Sequence, residues 1–400
     1  MPLNPLSSIG LQTAVVVTTI GFTSAHSALR PGALLLAGIC TGHCISTAID
    51  YFIRSPWASL AGGYSVMLLL HFVDIGLLTR WEFPPTNRRD KIAAESSREH
   101  SQGVSIPSWA DRLRFGISAS INARCIGTPD QVRNIYPSHH QGRAAFLYRT
   151  AGFAILSYVF LDFFGIMEDP EIGNRFLVAS RVPIFRRLSE LTAEEVIIRI
   201  LFTASTAVAL VSIQGGIYNL FAFTSVLSGF SEPQEWPSFY GSLSDAYSLR
   251  RVWSRVWHQC NTHKFRAIAR YLTRDVLGFS SGTLKGQYAQ VLTVFAVSSV
   301  MHLLIDLSAG VSISKSGALQ FFGTQALGIV VEDLVSRMYS ALRGLSPNRS
   351  VSKGERFLGF LWVGGFLVWS LPSYIYPLLY RTNMGENDCV VPVSIIGSLL

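Results

Sequence analysis

Charge is what this chain has least of: Asp, Glu, Lys and Arg make up only 14% of its 400 residues, against 49% hydrophobic types. A water-soluble domain of that length needs more charge to solvate its surface, so the composition excludes an ordinary soluble enzyme. Cysteine is nearly as scarce. Five residues (Cys40, Cys44, Cys125, Cys260 and Cys389) make no paired framework. Cys40 and Cys44, one helical turn apart around His43, read as packing residues rather than a metal site. The chain has no internal repeat, no phosphate-binding Gly-rich loop with its Lys, no Gly-x-Ser-x-Gly elbow and no His-Glu-x-x-His pair. Those absences remove P-loop NTPases, elbow-type serine hydrolases and zinc peptidases from consideration.

What is present is apolar length. Stretches of roughly 20 residues, enough to cross a hydrocarbon core, lie near Leu11–Leu29, Gly32–Ile53, Ala58–Leu78, Ala151–Met167, Val196–Phe230, Val291–Gly310, Ala318–Met338 and Phe357–Tyr380. The pattern predicts an all-α, polytopic integral membrane protein with about eight transmembrane helices and interfacial helices in its loops. Val196–Phe230 is long for one crossing and short for two. Gly215, Gly216 and Asn219 interrupt it, so it reads as one tilted crossing plus an interfacial piece.

The hydrophilic segments Arg80–Arg149, Ser231–Gln290 and Ser340–Arg356 are all basic. If Val196–Phe230 crosses once, all three lie on one side; two crossings would split them. The positive-inside rule selects the single crossing, with the basic segments cytosolic and both termini lumenal. The net charge of +8 then faces membrane lipids and an anionic ligand, not nucleic acid.

Within the first basic segment, Glu95–Ser105 is Ser-rich and reads as a surface loop. Ile106, Trp109, Leu113 and Ile117 follow at helical spacing with Asp111, Arg112 and Arg114 between them, which predicts a helix lying in the interface. Ala123–Pro137 carries a Gly-Thr-Pro turn and a second short amphipathic piece. His139 and His140 are adjacent, point apart on any regular structure and so share no metal.

Intramembrane ionisable groups are costly, so each is a candidate for function or for a structural bond. His43, Asp50, His71 and Asp74 read as groups satisfied by a neighbouring helix. Asp162 has no partner in sequence, and Glu332 and Asp333 read as snorkelling partners of Arg337. His302 stands apart: in QVLTVFAVSSVMHLLIDLSAG it is roughly mid-span, with Asp306 and Ser298 one turn away. A neutral imidazole in a dry site can accept a proton where little else can.

The segment Leu249–Phe265, LRRVWSRVWHQCNTHKF, is the other candidate. As a helix over Leu249–Cys260 it would stack Leu249, Trp253 and Trp257 on one face and Arg251, Arg255 and His258 on another. Tryptophan favours the headgroup region, so this helix is expected at the cytosolic interface, either as an anchor or as part of an active site.

Ser248, Leu249, Arg250, Trp253, Trp257 and His258, followed by Met301 and His302 inside the next apolar helix, resemble the two-part motif of the wax-synthase-like membrane-bound O-acyltransferases (MBOAT-related). RCIGTPDQVRNIYP (Arg124–Pro137) resembles the Arg-Gly-Ile-Gly box of the fungal members, with Cys125 in place of Gly. Many members, the plant wax synthases especially, have Asn where His258 stands and Glu where Leu303 stands. The resemblance covers roughly Ala123 to Arg337. It implies an acyl-CoA-dependent O-acyltransferase, in the fungal branch one that acetylates hydroxyls of terpenoid or meroterpenoid secondary metabolites at the endoplasmic reticulum. It implies His302 as base, and His258 as a second catalytic or positioning group. No bound cofactor is expected; acetyl-CoA is the co-substrate and a lipophilic alcohol the acceptor. Arg250, Arg251 and Arg255, with Trp253 and Trp257, are the candidate acyl-CoA contacts, and Lys264, Arg266, Arg270 and Arg274 are further cations on the same cytosolic side that could bind it. The chain then divides into N-terminal spans (1–79), a cytosolic loop with an interfacial helix (80–150) and an acyltransferase core (151–400) with its active-site loop at 231–290. Alternatives are a long-chain wax-ester synthase and a non-enzymatic transporter or lipid-binding protein, although no internal symmetry of the transporter kind is visible.

Overall fold

The structure, a computed structural model, describes residues 4–83, 108–136, 142–167, 169–344, 346, 350–382 and 389–399. Glu95–Ser105, Ile106 and the His139–His140 pair lie outside the described residues. Among those described there is no strand. The helices are α1 (Pro5–Phe22), α2 (Leu29–Phe52), α3 (Ser55–Phe72, continued by a π-helical turn to Leu78), α4 (Trp109–Ile121) and α5 (Arg143–Ile166). They continue as α6 (Pro170–Phe176), α7 (Ala193–Leu227), α8 (Leu249–Arg251), α9 (Thr262–Arg270), α10 (Leu284–Ser308), α11 (Ala318–Leu342), α12 (Lys353–Ser370) and α13 (Pro372–Thr382). Among the described residues, eight helical stretches are long and apolar enough to cross a membrane, α12 and α13 together forming the last.

Several boundaries differ from the sequence expectation, α5 beginning at Arg143 rather than Ala151 among them. The first span runs Pro5–Phe22 rather than Leu11–Leu29, because Asn4 caps it by accepting from the Ser7 amide at 2.8 Å and Pro5 preorganises its first turn. It stops before the polar Ser24–Ser27 turn. α7 is one continuous helix of 35 residues, about 52 Å long, and is one candidate span with no separate interfacial piece. Its glycines do not break it. A side chain at Gly215 would meet the Phe153 ring at 2.9 Å, and one at Gly216 would meet Ser157 at 3.0 Å, so both allow α5 and α7 to pack closely.

Lipid tails are as apolar as the helices, so packing and interhelical hydrogen bonds hold such a bundle together. Buried Gln12 of α1 donates to Thr41 of α2 and to the Ser65 carbonyl of α3, and accepts from the Ser65 hydroxyl at 2.6 Å. The largest apolar cluster joins α11, α12 and α13 around Phe321, Phe322, Ile329 and Phe366 and takes in Leu249 and Phe295.

Long-range hydrogen bonds sort by end. At one end Arg124 bonds Pro237 and Ser238, Asn134 bonds Ser254, His263 bonds Asp74, and Arg250 pairs with Asp333. The first three tie the first basic segment to the second, and the other two join the second to α3 and α11. At the other end Arg54 and Trp57 bond the carbonyls of Val391 and Val390, and Asp162 accepts the amides of Ile395 and Ile396 at 2.8 and 2.9 Å. The C-terminal segment is thus the partner of Asp162 that sequence spacing did not provide.

α4 opens on a Ser108–Asp111 capping box and exposes Trp109, but it is docked: a side chain at Gly116 would lie 2.2 Å from the Val17 carbonyl of α1. Ala123–Tyr136, the described part of the segment read as a second amphipathic piece, forms turns rather than a helix.

Candidate active site

The stretch around Leu249 does not lie on the surface as an interfacial helix. Ser248 caps only three α-helical residues, the chain continues as a π-helical turn over Val252–Val256, and Trp257 turns to extended backbone (φ −66°, ψ 148°). The carbonyls loosened by this turn find external donors: Gly241 N–H reaches Val256 O at 2.9 Å and Asn134 Nδ2 reaches Ser254 O at 2.9 Å. Gly241 must be glycine, because a side chain there would sit 2.0 Å from the Arg255 carbonyl. The break rotates His258 off the face shared by Arg251 and Arg255, and it inserts Trp253 among Phe295, Phe321 and Phe322. Trp253 Nε1 donates to Gln325 there. Burial of an apolar ring inside the bundle outweighs the headgroup preference of tryptophan.

A cavity of about 2240 Å³ contains both candidate histidines in its wall. Small-ligand sites typically hold about 300–1,000 Å³, so this one has room for two substrates side by side. His302 lies about 27 Å along α10 from Leu284 and about 9 Å from Ser308, closer to the far end than mid-span. The reason is that α10 begins at Leu284 instead of Val291.

His302 Nδ1 is 2.8 Å from the Ser298 carbonyl. A carbonyl only accepts, so Nδ1 carries the hydrogen and a neutral ring leaves the Nε2 lone pair free. Nε2 has no hydrogen-bond partner among the described residues. Phe322 lies against the ring (centroids 4.2 Å apart, 30°) and Tyr374 meets it edge-on at 5.8 Å. Asp306 is not a partner of His302. It accepts from Ser316 Oγ at 2.5 Å and from the Tyr374 hydroxyl at 3.2 Å, and so holds the tyrosine that flanks the imidazole.

His258 stacks on Phe239 (5.4 Å, 23°) and packs beside Trp257 (5.3 Å). Trp257, Trp253 and Phe322 form an aromatic wall from His258 to His302, with successive centroids 6.2, 6.2 and 4.2 Å apart. Burial first, and then the electrostatic influence of His302, Lys264 and Arg124, lower His258 to about 3, so its ring is neutral at pH 7. Its Nδ1 is buried without a partner.

Arg124 was visible only as part of a sequence box, and its role is geometric. Its buried guanidinium donates to Ser238 O at 2.7 Å, Pro237 O at 3.0 Å and Tyr218 Oη at 2.5 Å, and it covers the Tyr218 and Phe239 rings. It therefore fixes Phe239, and through Phe239 the stacking of His258. Cys125 beside it has φ +54°, a left-handed conformation that favours glycine, the residue of the resembling box.

The arginines divide differently from expectation. Arg250 lines the cavity but forms a fork with Asp333, and Glu332 accepts from the Leu249 amide and Trp362 instead of meeting Arg337. Arg251 is bound by Asp245 and covers Tyr247, and neither it nor Arg255 lines the cavity. Trp253 and Trp257 do line it. Lys264, one of the cations expected to be available to the co-substrate, is instead buried, donating to Cys260 O at 2.8 Å and Asn261 Oδ1 at 3.0 Å.

The model of the membrane bound O-acyl transferase family matches residues 236–324, a stretch containing both His258 and His302. The chain belongs to that family: it is an integral membrane protein and an acyl-transferring enzyme, with an acyl-CoA as co-substrate and a second molecule as acceptor. Acetyltransferase aurG of Calcarisporium arbuscula is 30% identical over 97% of this chain and 96% of its own length. Acetyltransferase fsoF of Humicola fuscoatra is 28% identical over 94% and 96%, and acetyltransferase ataH of Aspergillus terreus 32% over 68% and 90%. No solved structure is significantly similar to the chain.

Proposed function

We propose that this enzyme transfers the acetyl group of acetyl-CoA to a hydroxyl of a lipophilic terpenoid or meroterpenoid alcohol, at the endoplasmic reticulum membrane with its basic end in the cytosol. The observation that carries the reading is the Nδ1–H bond of His302 to the Ser298 carbonyl, because it leaves a proton-accepting Nε2 in an apolar chamber. The names of the related acetyltransferases support acetyl as the group transferred. The apolar walls and the placement within the helices support a lipophilic acceptor entering from the bilayer.

His302 Nε2 takes the hydroxyl proton as the oxygen attacks the thioester carbonyl. Charge then develops on the carbonyl oxygen. His258 is neutral and carries one hydrogen, and an N–H buried without an acceptor is costlier than a bare lone pair in the same place. The hydrogen therefore sits on Nε2, and His258 serves as a donor to the oxyanion. Collapse re-forms the carbonyl and breaks the C–S bond, and the departing CoA thiolate takes the proton from His302. Trp253, Trp257 and Phe322 keep water, the competing acceptor, away from the thioester.

The test is incubation of microsomes containing the enzyme with labelled acetyl-CoA and a panel of terpenoid alcohols. Labelled ester in extracts with wild type and none with His302→Ala at equal abundance is expected. Transfer only from long-chain donors, or from no donor, would reject the acetyl assignment.

A further inference from the structure

Arg250 and Arg251 are already neutralised by carboxylates, which leaves open what at the basic end meets an anion. Three other guanidinium groups are placed for it. Arg266 and Arg270 share one face of α9, one turn apart, and Arg133 comes from the turn segment that also carries Arg124. All three are exposed and line the same cavity as His258 and His302. None of the three guanidinium groups has a hydrogen bond or carboxylate partner among the described residues. Desolvation at the cavity mouth, then the like charges of Arg133 and Arg270, lower the Arg266 guanidinium from its ordinary value. Like charges brought together without a counter-charge are unfavourable for the protein alone and favourable once an anion joins them.

We propose that Arg133, Arg266 and Arg270 form the site for the phosphate groups of the CoA moiety at the basic mouth of the cavity. The assignment rests on the acyl-CoA reading of the cavity and adds to it where the nucleotide end is held. Gln287 and Gln290 of α10 line the cavity near its basic end, and His302 lies about 18 Å further along the same helix than Gln290. A phosphate anchor at the mouth thus leaves the pantetheine arm to thread past Trp257 and present the thioester between the two histidines. The segment containing Arg124 and Arg133 then has two tasks, clamping the loop under His258 and holding the co-substrate.

The test measures CoA binding to the purified full-length protein in nanodiscs by titration calorimetry. The variant Arg133→Ala/Arg266→Ala/Arg270→Ala is compared with wild type, and Arg266→Lys tests retention of charge. Because the three side chains are exposed, the triple variant is expected to elute as wild type does. The expected result is at least a tenfold loss of affinity for CoA in the triple variant, a smaller loss in Arg266→Lys, and no change for pantetheine, which lacks phosphates. Equal affinity of both proteins for CoA, an equal loss for pantetheine, or no CoA binding by wild type would overturn the proposal. So would unchanged CoA affinity accompanied by weaker retention on phosphatidic-acid vesicles, which would assign the cluster to lipid headgroups. Binding of CoA that follows this pattern without acetyl transfer to any alcohol would instead refute the acetyltransferase reading and leave the phosphate site standing.

Discussion

Replacing His302 by Ala separates catalysis from folding in this protein. The ring contributes one hydrogen bond to the Ser298 carbonyl, at 2.8 Å, and one close aromatic contact with Phe322. A hydrogen bond of that kind is worth about 1 kcal/mol and an aromatic pair about 0.5–1.5 kcal/mol. The ring faces a cavity that already exists, so its removal encloses no new void. The expected cost to stability is therefore about 2 kcal/mol, a fall of a few degrees in melting temperature. A general base contributes roughly 10²–10⁴ in rate, which at 1.36 kcal/mol per tenfold is about 3–5 kcal/mol of barrier. Turnover of labelled acetyl-CoA should fall by at least about a hundredfold while membrane abundance, read by immunoblot, stays near wild type. Ser298→Ala is the matching control. Its hydroxyl is 3.4 Å from Nδ1, a marginal distance, and the carbonyl that orients the ring is retained, so activity should stay within about threefold. An active His302→Ala enzyme would refute the assignment of the base. A Ser298→Ala enzyme as dead as His302→Ala would refute the carbonyl as the group that sets the tautomer.

Arg124→Ala removes a donor from two carbonyls and a hydroxyl; Tyr218 Oη and Pro237 O keep their mutual bond, so the main cost, about 1–3 kcal/mol, falls on the Ser238 carbonyl. A lower melting temperature with most activity lost is expected, and Arg124→Lys, a point charge facing three acceptors, should restore only part of either; wild-type activity in Arg124→Ala would disprove the clamp. Lys264 is lowered to about 8 by burial, against 10.5 when exposed. Between those values the unfolded chain binds more protons, so stability should rise with pH from about 8 toward 10.5. The melting curve of Lys264→Met should lack that rise, and parallel pH profiles of the two proteins would count against it. Glycosylation acceptors inserted in 80–149, 231–290 and 340–356 should all stay unmodified in microsomes, whereas one after Tyr380 should be modified. Modification within 231–290 would place that loop in the lumen and separate it from cytosolic CoA.

Apolar run length and scarce charge were sufficient to read eight crossings, because the cost of exposing backbone to lipid makes any run near 20 residues a helix whatever its neighbours. His302 stood out as a candidate for the same kind of reason, since an imidazole among Met and Leu side chains has few uses in a low dielectric other than a bond or a proton, whereas His258 was singled out only by the resemblance. What the local sequence did not contain was the identity of partners. Asp306 lies one turn from His302 yet bonds Ser316 and Tyr374, the latter from a helix 68 residues away. Asp162 looked unpartnered until the C-terminal segment supplied two amides. The helical reading of Leu249–Cys260 failed at Trp257 because donors from Gly241 and Asn134, distant in sequence, compensate the carbonyls that a π-helical turn loosens. Arg250 and Arg251 read like Arg133, Arg266 and Arg270, since a guanidinium carries the same charge in every sequence context. Only the folded chain brought Asp333 of α11 to Arg250 and turned Asp245 back onto Arg251, leaving the other three on an open cavity. Helix formation is decided by neighbours along the chain, but the compensation of each buried or converging charge is decided by whichever remote segment the fold places within about 3–4 Å.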